Sequence, residues 1–394
     1  MLNARIVKHG EESLSFCENQ NGFQKGRGCV DAIFSLTALI RNHLRLPKRK
    51  IYVCFVDYKK AFDGVSQELL WKKAYHFGLS PKLIRVVKLI YESAFLEFTI
   101  SGAKSETFLV SKGVLQGDCL SPTLFSIMVG DFEEYLRKKG AARVSIDSQE
   151  DLVAIMYADD MALLADSAAG LGRNLRLLEA YAAENELIVN TAKTKVMICC
   201  KGGHRKSKPF YYKNKELEIV STFQYLGVCL SNSGLFKVAC DMQMKKANIA
   251  LGNIYNILSK AKVQSWAPRE KLFDATVTPT LMYAAEIWSM RYFSEIETVK
   301  NRYYKSLLTM PKSTPGYIVR IETGACRLAC TALRGILAWW TKILCMGRER
   351  TPRKLYDRLL ELNAQPSNQA RFNWASQLQE LLRSLDKEEI WTAQ

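Results

Sequence analysis

Three aspartates carry the densest chemistry in this chain of 394 residues. Val53, Phe55 and Val56 lead directly into Asp57, and Val153, Ile155 and Met156 lead into the doublet Asp159 and Asp160. A carboxylate removed from water without a partner is costly, so acids that end an apolar strand imply a compensating cation. Three such groups delivered by two core strands fit bound divalent metal, and a pair of such ions suits in-line displacement at phosphorus. A capped turn is the plainer reading of the doublet, since Asp is common in turns. The apolar flanks, repeated at Asp57, favour the metal.

The charge balance indicates what such a site would handle. Lys and Arg number 56 against 39 Asp and Glu, a net charge of +17 with a pI near 9.3. That excess calls for a polyanion, and beside a phosphoryl-transfer site the polyanion is nucleic acid. Together these features read as a polymerase palm. A membrane surface is the weaker explanation, because GILAWWTKILCM (335–346) is too short to span and contains Lys342. The opening MLNARIVKHGEESLSF has no apolar signal segment. Eleven irregularly spaced cysteines, with Cys54, Cys199, Cys200 and Cys229 inside apolar runs, read as reduced core thiols. Cys326 and Cys330 lack the second ligand pair of a zinc site. The expected compartment is reducing and intracellular, nucleus and/or cytoplasm.

The elements that must position the acids follow from periodicity. Residues 1–50 are helical in pattern around a glycine-rich loop, QNGFQKGRGCVD (20–31), with Ile33, Leu36, Leu39 and Ile40 on one helical face ending at Leu46 and Pro47. Ser66 is placed to cap a helix through Phe77 that Gly78 closes, and Pro81 opens another. FLEFTISG predicts a strand turning at Gly102 and returning through Phe108 and Val110. Pro122 sits at a helix start. The 152–166 segment reads as strand, tight turn, strand, with Ala158 and Asp159 near the bend. A helix over about 171–186 and a strand after Lys193 come next. Residues 201–215 hold six basic residues and no acid, so an exposed basic loop is expected there. FQYLGVCLSNSG (223–234) predicts a strand and turn. From Leu235 the pattern is helical almost to the end, with a break near 310–316.

The ordered blocks FVDYKKAFDGV, GVLQGDCLSPTLF, MYADDMALLAD, LIVNTAKTKVM and FQYLGVCLS closely resemble the reverse-transcriptase domain of non-LTR (LINE-type) retrotransposons and point within it to the jockey-like branch. QNGFQKGRGCVDAIF resembles the segment upstream of the first catalytic aspartate in that family. The resemblance is dense over 1–234 and looser over 235–394. It implies an α+β right-hand polymerase: partial fingers and palm over 1–234, a helical thumb-like region over 235–310, and a helical C-terminal extension over 311–394.

Carried over by motif, the resemblance implies that Asp57, Asp159 and Asp160 hold two Mg²⁺ ions, with Mn²⁺ able to substitute. Phe62 would lie beneath the incoming sugar and select deoxynucleotides, or else be a core phenylalanine. Gln116 and Gly117 match a loop beside the nascent base pair, and Tyr157 belongs to the nucleotide site by its place beside the doublet. Lys193, or its neighbour Lys195, matches a lysine near the leaving pyrophosphate. Lys25 and Arg27, in a glycine-flanked loop, suit phosphate or template backbone. Phe223, Tyr225, Leu226 and Gly227 resemble the primer grip. Trp266, Trp288, Trp339 and Trp340 are either core or stacking residues for single strands. The implied partners are an RNA template, a DNA primer or target, and dNTPs, with no membrane.

The resemblance begins part-way into the family pattern, so an N-terminally truncated domain is expected, and no nuclease module is recognisable. Two alternatives stay open: a remnant that binds nucleic acid without turnover, and a maturase-like or RNA-copying palm protein.

Overall fold

The computed structural model describes residues 1–13, 16–46, 48–202, 208–262, 265–364 and 373–392. The fold is α+β, and the chain divides into two compact units. The first contains Met1–Ala32, Lys50–Ile198 and His204–Val220; the second contains Ile33–Arg49, Cys199–Gly203 and Ser221–Gln394.

A six-stranded sheet organises the first unit, in the order Phe210–Tyr212, Lys215–Val220, Lys195–Cys200, Lys50–Val56, Asp160–Ala165, Ala154–Tyr157. The interior strand Lys50–Val56 is buried from Ile51 onward, which explains its unbroken apolar run: a strand covered on both faces shows no alternation. Its period of two still sorts the side chains. Tyr52, Cys54 and Val56 share one face and join Leu124, Phe125 and Met128 of the helix Ser121–Val129 and Leu171, Leu175 and Leu178 of the helix Ala168–Glu184 in one core. The latter helix starts before residue 171 because the Ser167 hydroxyl caps it, accepting the Gly170 N–H at 3.2 Å.

A polar knot ties three elements of this core together. Lys73 Nζ, on the helix Gln67–His76, sits 2.6 Å from Asp131 and donates to the Met128 carbonyl at 2.8 Å, while the buried Tyr181 hydroxyl donates to the same Asp131 at 2.6 Å. Burial lowers the Lys73 pKa and raises that of Tyr181 well above its usual value. Each buried polar group thus has the partner its desolvation demands.

Residues 201–215 depart from the loop expected. Phe210–Tyr212 and Lys215–Val220 form an antiparallel hairpin at the edge of the central sheet, turning at Lys213 and Asn214, both at positive φ. Phe210 and Tyr212 are buried, and Phe210 meets Tyr52 edge-on at 6.0 Å between ring centroids. The driving force is aromatic burial, and the alternating FYYKNKELEI with a two-residue polar turn is the local signal for it. Residues 203–207 of that stretch lie outside the described residues.

The second unit is mainly helical after the hairpin Thr222–Tyr225 and Val228–Ser231. Its aromatic core settles the tryptophans: Trp288, Trp339 and Trp340 are buried, and Trp266 stacks on Tyr304 at 5.5 Å. Phe34 meets Trp339 and Trp374 edge-on at 5.5 and 5.6 Å. Trp288, Trp339 and Trp340 are therefore core, while Trp266 is half-buried. The expected break separates the helix Phe293–Leu307 from Gly316–Thr323. Among the described residues no helix is long and apolar enough to cross a membrane.

The cysteines need one correction. All eleven are free thiols; Cys54, Cys199, Cys200 and Cys229 are buried as expected, and so is Cys240, but Cys119, Cys326, Cys330 and Cys345 are exposed. Cys330 lies on the wet side of the amphipathic helix Leu328–Leu344 and Cys345 ends it, while Cys119 and Cys326 lie outside helices and strands.

Candidate active site

Antiparallel pairing sets the position of the acids. The register Val56↔Met161 places Asp57 and Asp160 at the same end of two adjoining strands. Tyr157 pairs with Asp160 across the next ladder, which leaves Ala158 and Asp159 as the turn. Ala158 is a non-glycine residue at φ 55°, a strained conformation that its surroundings must hold.

Gln20 holds it. This residue is 1% exposed, its Oε1 accepts the Ala158 N–H at 2.8 Å, and its Nε2 donates to the Ala158 carbonyl at 3.1 Å. The same Oε1 also accepts the Gly22 N–H at 2.9 Å. The backbone around it exchanges hydrogen bonds with Met156: the Met156 N–H donates to Asn19 and the Asn21 N–H donates to Met156, both at 2.8 Å. Gly22 is obligatory, because a Cβ there would lie 2.3 Å from the Ala158 nitrogen. Asn19 is fixed in turn by Glu133, whose Oε2 accepts its Nδ2 at 2.6 Å and whose other oxygen receives Arg137.

Asp57 is held from elsewhere. Asn190 Nδ2 donates to Asp57 Oδ2 at 2.9 Å and the Asn190 N–H donates to the Asp57 carbonyl at 2.7 Å. The Asp57 N–H donates to Thr194 Oγ1 at 3.2 Å. The LIVNTAKT stretch is therefore a brace for the first aspartate. Gln20, Asn190 and Thr194 were not picked out from sequence. Asn190 has one signal there, an amide directly after the apolar run Leu187–Val189, while Gln20 and Thr194 have none.

The electrostatics of the three acids agree with their crowding. Burial pushes the Asp159 carboxyl up, with Asp57 adding to the rise and Lys193 opposing it. Asp160 is pushed up to about 6 by burial and then by Asp159 and Asp57, although the residue as a whole stays open to solvent. Lys193 is exposed and near enough to act on Asp159, whereas Lys195 is engaged by Glu218 at 2.6 Å. The donor set is hard oxygen with unbalanced negative charge, which fits a hard divalent cation. Among the described residues no group of three or more His, Cys, Asp or Glu side chains is placed to hold a metal ion. The strand-end acids would need phosphate oxygens and water to complete a metal site.

The remaining expected residues fall as follows. Phe62 is half-buried, stacked on Phe125 at 4.8 Å and edge-on to the exposed Phe23 at 6.3 Å. Gln116 is exposed and donates to Asp63 Oδ1 at 3.0 Å, which makes Asp63 an anchor for that loop. Gly113 needs its positive φ and its missing Cβ, because the Asp63 backbone lies 2.8 Å from where a Cβ would stand. Gly117 sits at φ 91° in open space. The Tyr157 hydroxyl is pushed up to about 12, first by its hydrogen bond with Cys29 and then by burial. Lys25 is exposed, while Arg27 is committed within its own loop, 2.7 Å from Glu18 and bonded to the Glu18 carbonyl. Phe223, Tyr225, Leu226 and Gly227 belong to the second unit. Leu226 and Gly227 both have positive φ and form the two-residue hairpin tip. Tyr283 donates to the Leu226 carbonyl at 2.9 Å, and Gln243 and Lys246 donate to that of Gly227 at 3.3 and 3.1 Å.

Residues 1–230 match the family model described as reverse transcriptase (RNA-dependent DNA polymerase). The RNA-directed DNA polymerase from the mobile element jockey of Drosophila funebris is 24% identical over 75% of this chain and 32% of its own length. The retrovirus-related Pol polyprotein from the type-2 retrotransposable element R2DM of Drosophila melanogaster is 25% identical over 85% of this chain and 32% of its own length. The chain thus spans about a third of the curated relatives named here. Among solved structures, apo telomerase from Candida tropicalis aligns at 13% identity and a TM-score of 0.41, covering 90% of this chain and 60% of that one. With the family model matching more than half of its length, the chain belongs to the reverse transcriptase family, alongside the enzymes of non-LTR retrotransposons.

Proposed function

We propose that the chain carries out RNA-directed DNA synthesis, joining a dNTP to a primer 3′-hydroxyl with release of pyrophosphate. The observation that carries this reading is the convergence, inside the family-matched region, of Asp57 and Asp160 at one end of adjoining strands with Asp159 in the braced turn beside them. These three aspartates would hold two Mg²⁺ ions, or Mn²⁺ in their place. When bound, the ions supply activation of the primer hydroxyl and neutralisation of the charge that builds on the phosphates.

The protein's own residues have the other tasks. Asn190 and Thr194 keep Asp57 aimed, and Gln20 keeps the Ala158 turn in its strained form. Lys193 supplies positive charge on the doublet side, where a leaving pyrophosphate would gather negative charge. Phe62, fixed by Phe125, would exclude a ribose 2′-hydroxyl, with Tyr157, Gln116 and Gly117 lining the nucleotide site. Lys25 would contact phosphate, and Arg27 would shape that loop. The hairpin tip at Leu226 and Gly227, backed by Phe223 and Tyr225, would position the primer end. The net charge of +17 supports an RNA template and a DNA primer or target as partners. Fingers and palm over 1–234, a thumb-like region over 235–310 and an extension over 311–394 are the matching division of labour, carried out in the nucleus and/or cytoplasm.

The test is primer extension on poly(rA)/oligo(dT) with Mg²⁺ and dTTP, comparing wild type with Asp159→Asn. Extension by wild type that vanishes in the variant sustains the reading. A folded wild-type chain that does not extend, yet binds nucleic acid with a steep salt dependence indifferent to Mg²⁺ and dTTP, refutes it.

A further inference from the structure

Within the second unit, a cavity of about 260 Å³ opens at the C-terminal end of the helix Cys29–Leu44. Arg41, Arg45 and Lys201 line it together with Leu359, Leu362 and Asn373. No acidic residue lines it among the described residues.

Arg45 is the cation there whose charge is least compensated among the described residues. Arg45 Nε is buried with no hydrogen-bond partner among the described residues, whereas Arg358 pairs with Glu361 at 2.7 Å and Arg41 lies over the Phe236 ring at 5.6 Å. Burial lowers the Arg45 pKa, with Arg358 and Arg49 adding repulsion, and burial brings Arg41 down to about 10. Lys201 spends one donor on the Arg45 carbonyl at 2.9 Å, which fixes it at the rim. Asn373 caps the helix Trp374–Ser384 through the Ser376 N–H at 2.8 Å, so the positive end of that helix faces the same region. A like-charged cluster of this kind costs folding free energy, and a bound anion would return it.

We propose that this cavity binds one nucleotide unit, with its phosphate on Arg41, Arg45 and Lys201 and its sugar and base against Leu359 and Leu362. Guanidinium forks match phosphate oxygens in pairs, which a carboxylate-poor, leucine-walled pocket can exploit for a ligand that is anionic at one end and flat at the other. The nucleotide is either free or part of a strand. The site lies in the other unit from the three aspartates, and its occupancy requires neither a divalent metal nor polymerase turnover.

The experiment uses the full chain in EDTA, with AMP as probe, read by calorimetric titration and thermal shift. AMP is expected to bind at one site per chain and raise the melting temperature; adenosine does not bind, and inorganic phosphate binds about tenfold more weakly or worse. Arg45→Gln and Lys201→Gln are each expected to weaken AMP by about tenfold or more. Without ligand, Arg45→Gln keeps or raises the melting temperature, because it relieves the repulsion from Arg358 and Arg49. Competition against AMP by rA10 with a 5′-phosphate, beside rA10 with a 5′-hydroxyl, separates a strand source from a free nucleotide. AMP affinity unchanged in both variants would overturn the proposal. So would equal affinity for phosphate and AMP, or tighter saturable binding of a glutamate hexapeptide than of AMP.

Discussion

Two hairpin tips invite comparison, one in each unit. The Ala158 and Asp159 turn and the Leu226 and Gly227 turn are both short, both use positive φ, and both are held by side chains from distant sequence. Their contents differ. At Ala158 the brace satisfies only the backbone, through Gln20, and the flanking carboxylates are left with like-charged neighbours. At Gly227 the brace covers the tip itself: Tyr283, Gln243 and Lys246 take its carbonyls, and Tyr283 fills the space a Cβ would need. The first tip presents charge and awaits a counter-ion; the second presents a finished shape.

That difference ranks the consequences of damage. Asp159→Asn removes the charge and leaves the fold alone, so primer extension should fall on the order of 10³-fold with an unchanged melting curve. Gln20→Ala leaves the carboxylates but orphans the buried Ala158 N–H and carbonyl. It should lower stability by about 1–3 kcal/mol in a denaturant titration and cut extension by about 10²-fold. Should extension survive while stability falls, the brace would be structural only and the two tips would be alike. At the second tip, Gly227→Ala forces a Cβ to within 2.9 Å of the Tyr283 ring at φ 84°, at a cost of about 1–3 kcal/mol. Because no reacting group sits there, extension under saturating primer should change by less than about tenfold, and a larger loss would make that tip as chemical as the first. The mildest change is Tyr283→Phe, which drops one hydrogen bond from a partly exposed hydroxyl. About 0.5–1 kcal/mol of stability is expected, with extension unaltered.

How much of this could be read from residues alone varies by element. Strands that end in acid and the Pro122 helix start are legible, because period and proline act within a few residues, whereas 223–234 reads as one strand and turn and folds as two strands around Leu226 and Gly227. The six basic residues of 201–215 point to an exposed loop, whereas burial of Phe210 against Tyr52 makes 210–220 a hairpin. Arg27 looked like a free cation beside glycines, but Glu18, nine residues earlier, already engages it.

The sequence by itself determined which residues can do chemistry: three carboxylates closing apolar strands, an excess of cations, and ordered blocks that identify the family. The tertiary structure alone decided what holds them. Gln20 meets Ala158 across 138 residues, Asn190 meets Asp57 across 133, and Thr194 meets Asp57 across 137. Local periodicity carries no information at such separations. A polar side chain finds its partner only after the sheet has formed, when each buried donor must take the acceptor that packing places within reach.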